Sequence, residues 1–110
     1  MTGMTQEREA RILEGAVEKF GIEAQVVVAI EECSELQKAL TKYLRMSPVK
    51  APGDTGEEEQ KIYGNIREEM ADVGIMLNQL ALIFGDANEE EFSKLERLEK
   101  LLESFHEQHT

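Results

Sequence analysis

Two short segments of the sequence place carboxylates at a spacing that can hold a cation. One reads EECSE at 31–35, and the other reads EEMAD at 68–72. Residues three apart lie side by side on one face of a helix. The spacing therefore predicts two carboxylate pairs, one on each of two helices, and each pair is preceded by one further glutamate. The pairs are Glu32 with Glu35 and Glu69 with Asp72, and the preceding residues are Glu31 and Glu68.

The position of these acids favours a metal site over an ordinary solvated face. Asp72 precedes a stretch, 73–84, whose only polar side chains are Asn78 and Gln79, so we expect little water around it. A buried carboxylate without a partner is costly or takes up a proton. Four carboxylates with no histidine nearby form an all-oxygen ligand set, which suits Mg²⁺ or Mn²⁺ and not zinc. The competing interpretation is that the acids face solvent.

Four helices are needed to position these residues. Apolar residues at helical spacing predict helices over about 5–20, 22–45, 57–84 and 88–107. Gly85 is predicted to end the third helix, and Asn88 to cap the fourth, with Glu91 at the capping-box spacing. The segment 47–57 contains both prolines of the chain and two glycines, and it is predicted to be a loop.

The apolar patterns of these helices predict how they pack. On the second helix Val26, Ile30, Cys33, Leu40 and Leu44 form one apolar face, which we expect to lie in the core. The third helix is apolar in every direction after Asp72, and such a helix must be buried on all sides. We therefore expect a homodimer or homotetramer with this helix near the interface. The alternative is a monomer whose first helix covers the exposed side. The fourth helix carries an apolar stripe formed by Phe92, Leu95, Leu98, Leu101, Leu102 and Phe105.

The composition narrows the class of protein. At 110 residues the chain is one all-α domain, 1–110, with a net charge of −11. The negative charge argues against nucleic acid or an anionic membrane as the partner. No apolar run is long enough for a membrane span, and the N-terminus lacks the apolar core of a secretory signal. With a single cysteine, the chain suits a reducing compartment, so we expect it in the cytoplasm.

At the two acidic segments the chain resembles the all-alpha nucleotide pyrophosphohydrolases, a superfamily that includes MazG-like proteins and dimeric dUTPases. Their mark is EExxE on one helix and ExxD on the next. Residues 31–35 and 69–72 match these motifs, and the resemblance covers about 22–84. The short chain is more similar to the MazG-like members than to the longer dimeric dUTPases. The resemblance implies a four-helix MazG-like bundle completed by homo-oligomerisation.

The resemblance also implies an activity, the Mg²⁺-dependent hydrolysis of a nucleoside triphosphate to the monophosphate and pyrophosphate. It makes Glu32, Glu35, Glu69 and Asp72 the metal ligands, and it makes Glu31 and Glu68 the candidates to orient or deprotonate the attacking water. Lys38 and Lys42 are candidate phosphate contacts, with pairing to Glu35 as the alternative. Asn78 is a candidate contact to the base or sugar.

Two other functions remain open at this stage. The chain could be a non-catalytic helical oligomerisation module in which the acids hold a structural metal ion. It could also hydrolyse a phosphoribosyl-nucleotide, which needs the same metal site and a different substrate.

Overall fold

The computed structural model describes residues 3–46 and 56–108, which form four helices: α1 (Gln6–Phe20), α2 (Ile22–Leu44), α3 (Glu57–Phe84) and α4 (Asn88–Gln108). The prediction of an all-α chain is confirmed, and the predicted helix ends agree with the observed ones to within about a residue. Most of the predicted loop, 47–55, lies outside the described residues. No helix in the described ranges has both the length and the apolar character that a membrane span requires.

The ends of the helices are set by local chemistry. The Thr5 hydroxyl accepts a hydrogen bond from the Arg8 N–H at 3.0 Å and so caps α1. Gly21 and Gly85 have φ values of 91° and 96°, a region that glycine enters without steric cost, and they end α1 and α3. Gly85 therefore acts as predicted. The predicted cap at Asn88 is wrong, because Asn88 is the first helical residue and its N–H donates to the Asp86 carboxylate at 3.1 Å.

The helices α2 and α3 pack along their length and form the main body of the protein, which we call the α2–α3 hairpin. The rings of Tyr43, near the end of α2, and Tyr63, near the start of α3, lie 6.1 Å apart between centroids, so the two helices run antiparallel. Ala29 and Ala39 are buried on α2, and their small side chains allow the helices to approach closely.

The first helix is attached to this hairpin by polar contacts as well as by apolar packing. Leu13 is buried, and its backbone carbonyl accepts a hydrogen bond at 3.2 Å from the side-chain amide of Gln79, which is only 2% exposed. The Asn78 side chain donates to the Glu9 carboxylate at 2.8 Å. Two neighbouring residues of α3 thus hold α1 in place.

Much of the predicted core is exposed in the single chain. On α2 the residues Ile30, Cys33, Leu40 and Leu44 are exposed, because α3 packs against the adjacent face that contains Ala29. The expectation that this apolar face lies in the core is therefore wrong within one chain. The all-round burial expected for the end of α3 is not observed either, because α1 covers only part of that helix and leaves four large apolar side chains exposed: Ile75, Leu77, Leu82 and Phe84.

The fourth helix stands apart from the hairpin. Among the described residues, contacts between helices join only α1, α2 and α3. The apolar stripe of α4 is exposed along its whole length. The radius of gyration is 18.2 Å, compared with roughly 13 Å for a compact chain of this length. The body that positions the acidic residues is therefore α1 to α3.

Candidate metal centre

Three of the four predicted ligands converge from the two helices of the hairpin. One carboxylate oxygen each from Glu32, Glu69 and Asp72 can be chosen so that all three lie within 4.8 Å of one another. Glu69 and Asp72 share a face of α3 because they are three residues apart. Glu32 lies on the side of α2 that faces α3, since its carboxylate approaches those of Glu69 and Asp72. We call these three residues the acidic cluster.

The surroundings of the acidic cluster oppose the charged forms of two of its members, Glu32 and Glu69. The pKa of Glu32 is raised, first by desolvation, then by the charge of Asp72 and a hydrogen bond to it, and then by the charges of Glu69 and Glu35. The pKa of Glu69 is raised by desolvation and by the charges of Asp72, Glu35 and Glu68. A divalent cation placed among these carboxylates would act in the opposite direction. The cluster therefore has the charge that a cation site requires.

The acidic cluster is more open to water than the sequence suggested. Asp72 and Glu35 are exposed, and Glu32 and Glu69 are only half-buried. The expectation of a water-poor position for Asp72 is wrong in the single chain, because the apolar stretch that follows it is itself largely exposed. An open site leaves coordination positions for water or phosphate, as Mg²⁺ requires when few protein ligands bind it.

Acidic and basic residues share one groove on the hairpin. A cavity of about 500 Å³ is bordered by Glu35 and Glu69 on its acidic side and by Lys38, Lys42 and Arg45 on its basic side. Ala39 and Asn65 complete its lining. The fourth predicted ligand, Glu35, thus borders the same space as Glu69, although it lies outside the acidic cluster. Lys38 and Lys42 were predicted as phosphate contacts, and both face this groove.

Asn65 was not singled out from the sequence, although its spacing contains the signal. It lies four residues before Glu69, which places both on one face of α3, and both line the groove. The amide can donate and accept hydrogen bonds without altering the charge of the site. Asn65 is therefore an additional candidate for contact with a polar ligand.

The remaining predicted residues belong neither to the acidic cluster nor to the described lining of the groove. Glu31 and Glu68 are exposed, and the charge of Glu68 raises the pKa of Glu69. The side chain of Asn78 binds Glu9 of α1 and is not among the described residues that line the groove. The structure thus brings together two acids and two lysines around the groove, but it does not place Asn78 there.

The donor set fits the metal that the sequence predicted. Every side chain of the acidic cluster offers carboxylate oxygen, which is the ligand type of Mg²⁺ and Mn²⁺. Comparison of the chain with protein-family models, with curated proteins and with solved structures found no match. The geometry of the acidic cluster and its groove, together with the two sequence motifs, is therefore the basis for a functional assignment.

Proposed function

We propose that this protein is a Mg²⁺-dependent nucleoside-triphosphate pyrophosphohydrolase that converts a (d)NTP to the (d)NMP and pyrophosphate. The observation that carries the proposal is the approach of three carboxylates from two helices to within 4.8 Å of one another, beside a groove that also contains basic residues. The EExxE and ExxD motifs supply the substrate class, because they resemble those of the all-alpha nucleotide pyrophosphohydrolases.

The metal ligands in this proposal are Glu32, Glu69 and Asp72, with Glu35 as the fourth. Mg²⁺, with Mn²⁺ as a substitute, neutralises phosphoryl charge when bound. The pKa values of Glu32 and Glu69 are raised first by desolvation and then by neighbouring carboxylates, and a bound cation would offset both effects. The proposal requires each of these side chains to be an anion at the pH of turnover.

The substrate's phosphates are bound by Lys38 and Lys42 in this scheme. Both line the groove that Glu69 borders, so a polyphosphate can reach from the acids to the lysines. The volume of about 500 Å³ lies within the range typical of small-molecule sites. In a chain of net charge −11, local positive charge is needed to attract an anionic substrate. Arg45 lines the same groove and supplies a further donor.

The attacking water is oriented or deprotonated by a glutamate that precedes a ligand pair, Glu31 or Glu68. The oxygen of the water forms a bond to the α-phosphorus, and the water proton passes to the glutamate carboxylate. The bond between the α-phosphorus and the bridging oxygen breaks, and pyrophosphate leaves with that oxygen. Glu68 lies close enough to Glu69 for its charge to raise that residue's pKa. Asn78 can contact the base or sugar only if its hydrogen bond to Glu9 opens.

We further propose that the active form is a cytoplasmic homodimer or homotetramer with α3 at an interface. Support comes from the exposed apolar side chains near the end of α3, among them Leu77 and Phe84, which are 57% and 72% exposed. Monomeric proteins rarely leave a large contiguous apolar patch in water. Association would also reduce the solvent around Asp72, which directly precedes this stretch.

The test is a screen of nucleoside and deoxynucleoside triphosphates with Mg²⁺, in which pyrophosphate and the monophosphate are quantified. Glu69→Gln removes one ligand charge with almost no change in shape, and we expect turnover of the preferred substrate to fall roughly 10²–10³-fold. The matched control is Glu89→Gln, the same chemical change at an exposed residue of α4. The control should turn over like the wild type.

Several results would contradict the assignment. If no triphosphate is cleaved, but Mg²⁺ raises the melting temperature of the wild type and not that of Glu69→Gln, the chain is a non-catalytic module with a structural metal ion. If a phosphoribosyl-nucleotide included in the panel is the only substrate, the site is right and the substrate class is wrong. If a folded Glu69→Gln protein keeps full activity, the site itself is wrong.

A further inference from the structure

The fourth helix has the features of an association surface that the proposed catalytic function does not use. Phe92, Leu95, Leu98, Leu101 and Leu102 form one stripe, and each is between 48% and 66% exposed. Contacts between helices in the described part of the chain do not include α4. Burial of such a stripe is favourable because it removes apolar surface from water, so the exposed stripe favours association with a partner.

The spacing within the stripe is typical of pairing between helices. Leu95, Leu98, Leu102 and Phe105 are separated by three, four and three residues, which is the a and d pattern of a coiled coil. Lys94 and Glu99 flank this seam on opposite sides. In this pattern Lys94 is at position g and Glu99, five residues later, is at position e. When two copies of the helix lie parallel, a residue at g lies near the following e residue of the partner helix, so Lys94 of each copy faces Glu99 of the other.

The available area decides how strong such pairing can be. At their observed exposures, Phe92, Leu95, Leu98, Leu101 and Leu102 each present on the order of 100 Å², or about 500 Å² per copy. Two copies would then bury about 1,000 Å², which is near the lower limit for a specific interface. The area predicts an association that depends on protein concentration.

We propose that the apolar stripe of α4 is a dimerisation surface whose occupant is the α4 helix of a second copy of this chain. The a and d spacing selects another helix as the occupant, and the complementary charges at Lys94 and Glu99 select one with the same sequence. The surface lies outside the acidic cluster and its groove, so the inference is independent of the proposed hydrolysis.

The experiment measures molar mass by light scattering and sedimentation over a wide dilution series of the full chain. The test variant carries Leu98→Glu with Leu102→Glu, which place charge within the stripe. The matched control carries Ser93→Glu with Ser104→Glu, which add the same charge on the polar side of the same helix. We expect the wild type and the control to form dimers of twice 12.5 kDa, and the dissociation constant of the test variant to rise at least roughly a hundredfold.

If other faces join the chain into a larger assembly, the test variant should have half the wild-type mass and the control should not. A wild type that stays monomeric at every concentration overturns the proposal. So does a test variant that associates as strongly as the control. Circular dichroism establishes whether the variants keep the helices of the hairpin.

A measurement on the wild type keeps the proposal testable even if the test variant fails to fold. Hydrogen exchange is followed at high and low protein concentration. Stronger protection of the α4 amides at high concentration, with unchanged protection in α2 and α3, supports pairing through α4. Equal protection of α4 at concentrations above and below the dissociation constant measured by sedimentation overturns it, because the helix is then covered by its own chain or by nothing.

Discussion

The α2–α3 hairpin and α4 are similar in composition but differ in how their acidic residues are arranged. Both regions are rich in glutamate and both carry leucines at helical spacing. In the hairpin, carboxylates from two helices meet in one acidic cluster. In α4, Glu89, Glu90 and Glu91 lie in the first turn, where consecutive side chains point in different directions and no second described helix supplies a partner. Acidic residues thus become a candidate cation site only where packing brings two sets together.

The same two regions also differ in what they bury. The buried residues of α2 and α3 are two glutamines, two alanines, a tyrosine and a methionine, whereas α4 buries none of its large apolar side chains. A strong apolar stripe therefore does not identify the core of a single chain. It identifies surface that some partner must cover, and the smaller residues mark where the helices of one chain approach most closely.

The largest expected difference between the two regions comes from one substitution made in each of them. Leu80→Pro in α3 removes a backbone hydrogen bond and clashes with the preceding turn, at a cost of about 3 kcal/mol or more. Because α3 contacts both other helices of the body, we expect the cooperative melting transition to be lost. Leu98→Pro should disrupt only α4 and leave the transition of the hairpin in place. Thermal melting followed by circular dichroism distinguishes the two results.

Unfolding of the whole chain by Leu98→Pro would contradict the independence of the two regions. In that case α4 supports the hairpin, and its exposure in the single chain does not reflect its role. A Leu98→Pro protein that stays folded, and loses only its ability to dimerise, agrees with both the comparison and the proposed α4 surface.

A smaller effect is expected within the hairpin at Gln79. Gln79→Ala leaves a cavity at a side chain that is 2% exposed and removes the hydrogen bond to the Leu13 carbonyl. We expect the free energy of unfolding to fall by about 2 kcal/mol. Gln37→Ala is the same change at an exposed position of α2 and should cost less than about 0.5 kcal/mol. Chemical denaturation measures both, and equal losses would show that the attachment of α1 contributes little.

Local signals in the sequence were sufficient to predict the helices. Gly85 ends α3 because its positive φ suits glycine. The position of Glu69 and Asp72 on one face of α3 was also predictable, since three-residue spacing fixes which side chains of a helix lie side by side. These predictions depend on interactions within a few residues of the chain.

The faces that pack together could not be predicted in the same way. The stripe containing Ile30 and Leu40 is the more apolar face of α2, yet the face around Ala29 meets α3. Helix approach depends on the shapes of both partners, which no single-helix pattern contains. The exposure of Asp72 was missed for a related reason, because the apolar residues after it were assumed to be covered within the same chain.

The smallest expected effect concerns pH, and its sign follows from the acidic cluster. Glu32 and Glu69 have pKa values raised above the ordinary 4.5 in the folded protein, first by desolvation and then by neighbouring carboxylates. Each therefore binds its proton more tightly when the chain is folded. The resulting stabilisation is fully present below about pH 4.5 and is lost as the pH rises through the raised pKa values.

We therefore expect Glu32 and Glu69 to lower the melting temperature of the metal-free protein, prepared with a chelator, as the pH rises through this range. Glu32→Gln removes one of the titrating groups and should make the fall shallower. Glu23→Gln, an exposed position elsewhere on α2, should leave it unchanged. Saturating Mg²⁺ should restore stability most at neutral pH, where the carboxylates are charged, and a hundredfold excess over the dissociation constant corresponds to about 2.7 kcal/mol. Parallel profiles for the wild type and Glu32→Gln, with and without Mg²⁺, would contradict the coupling of Glu32 to its neighbouring carboxylates and to a bound cation.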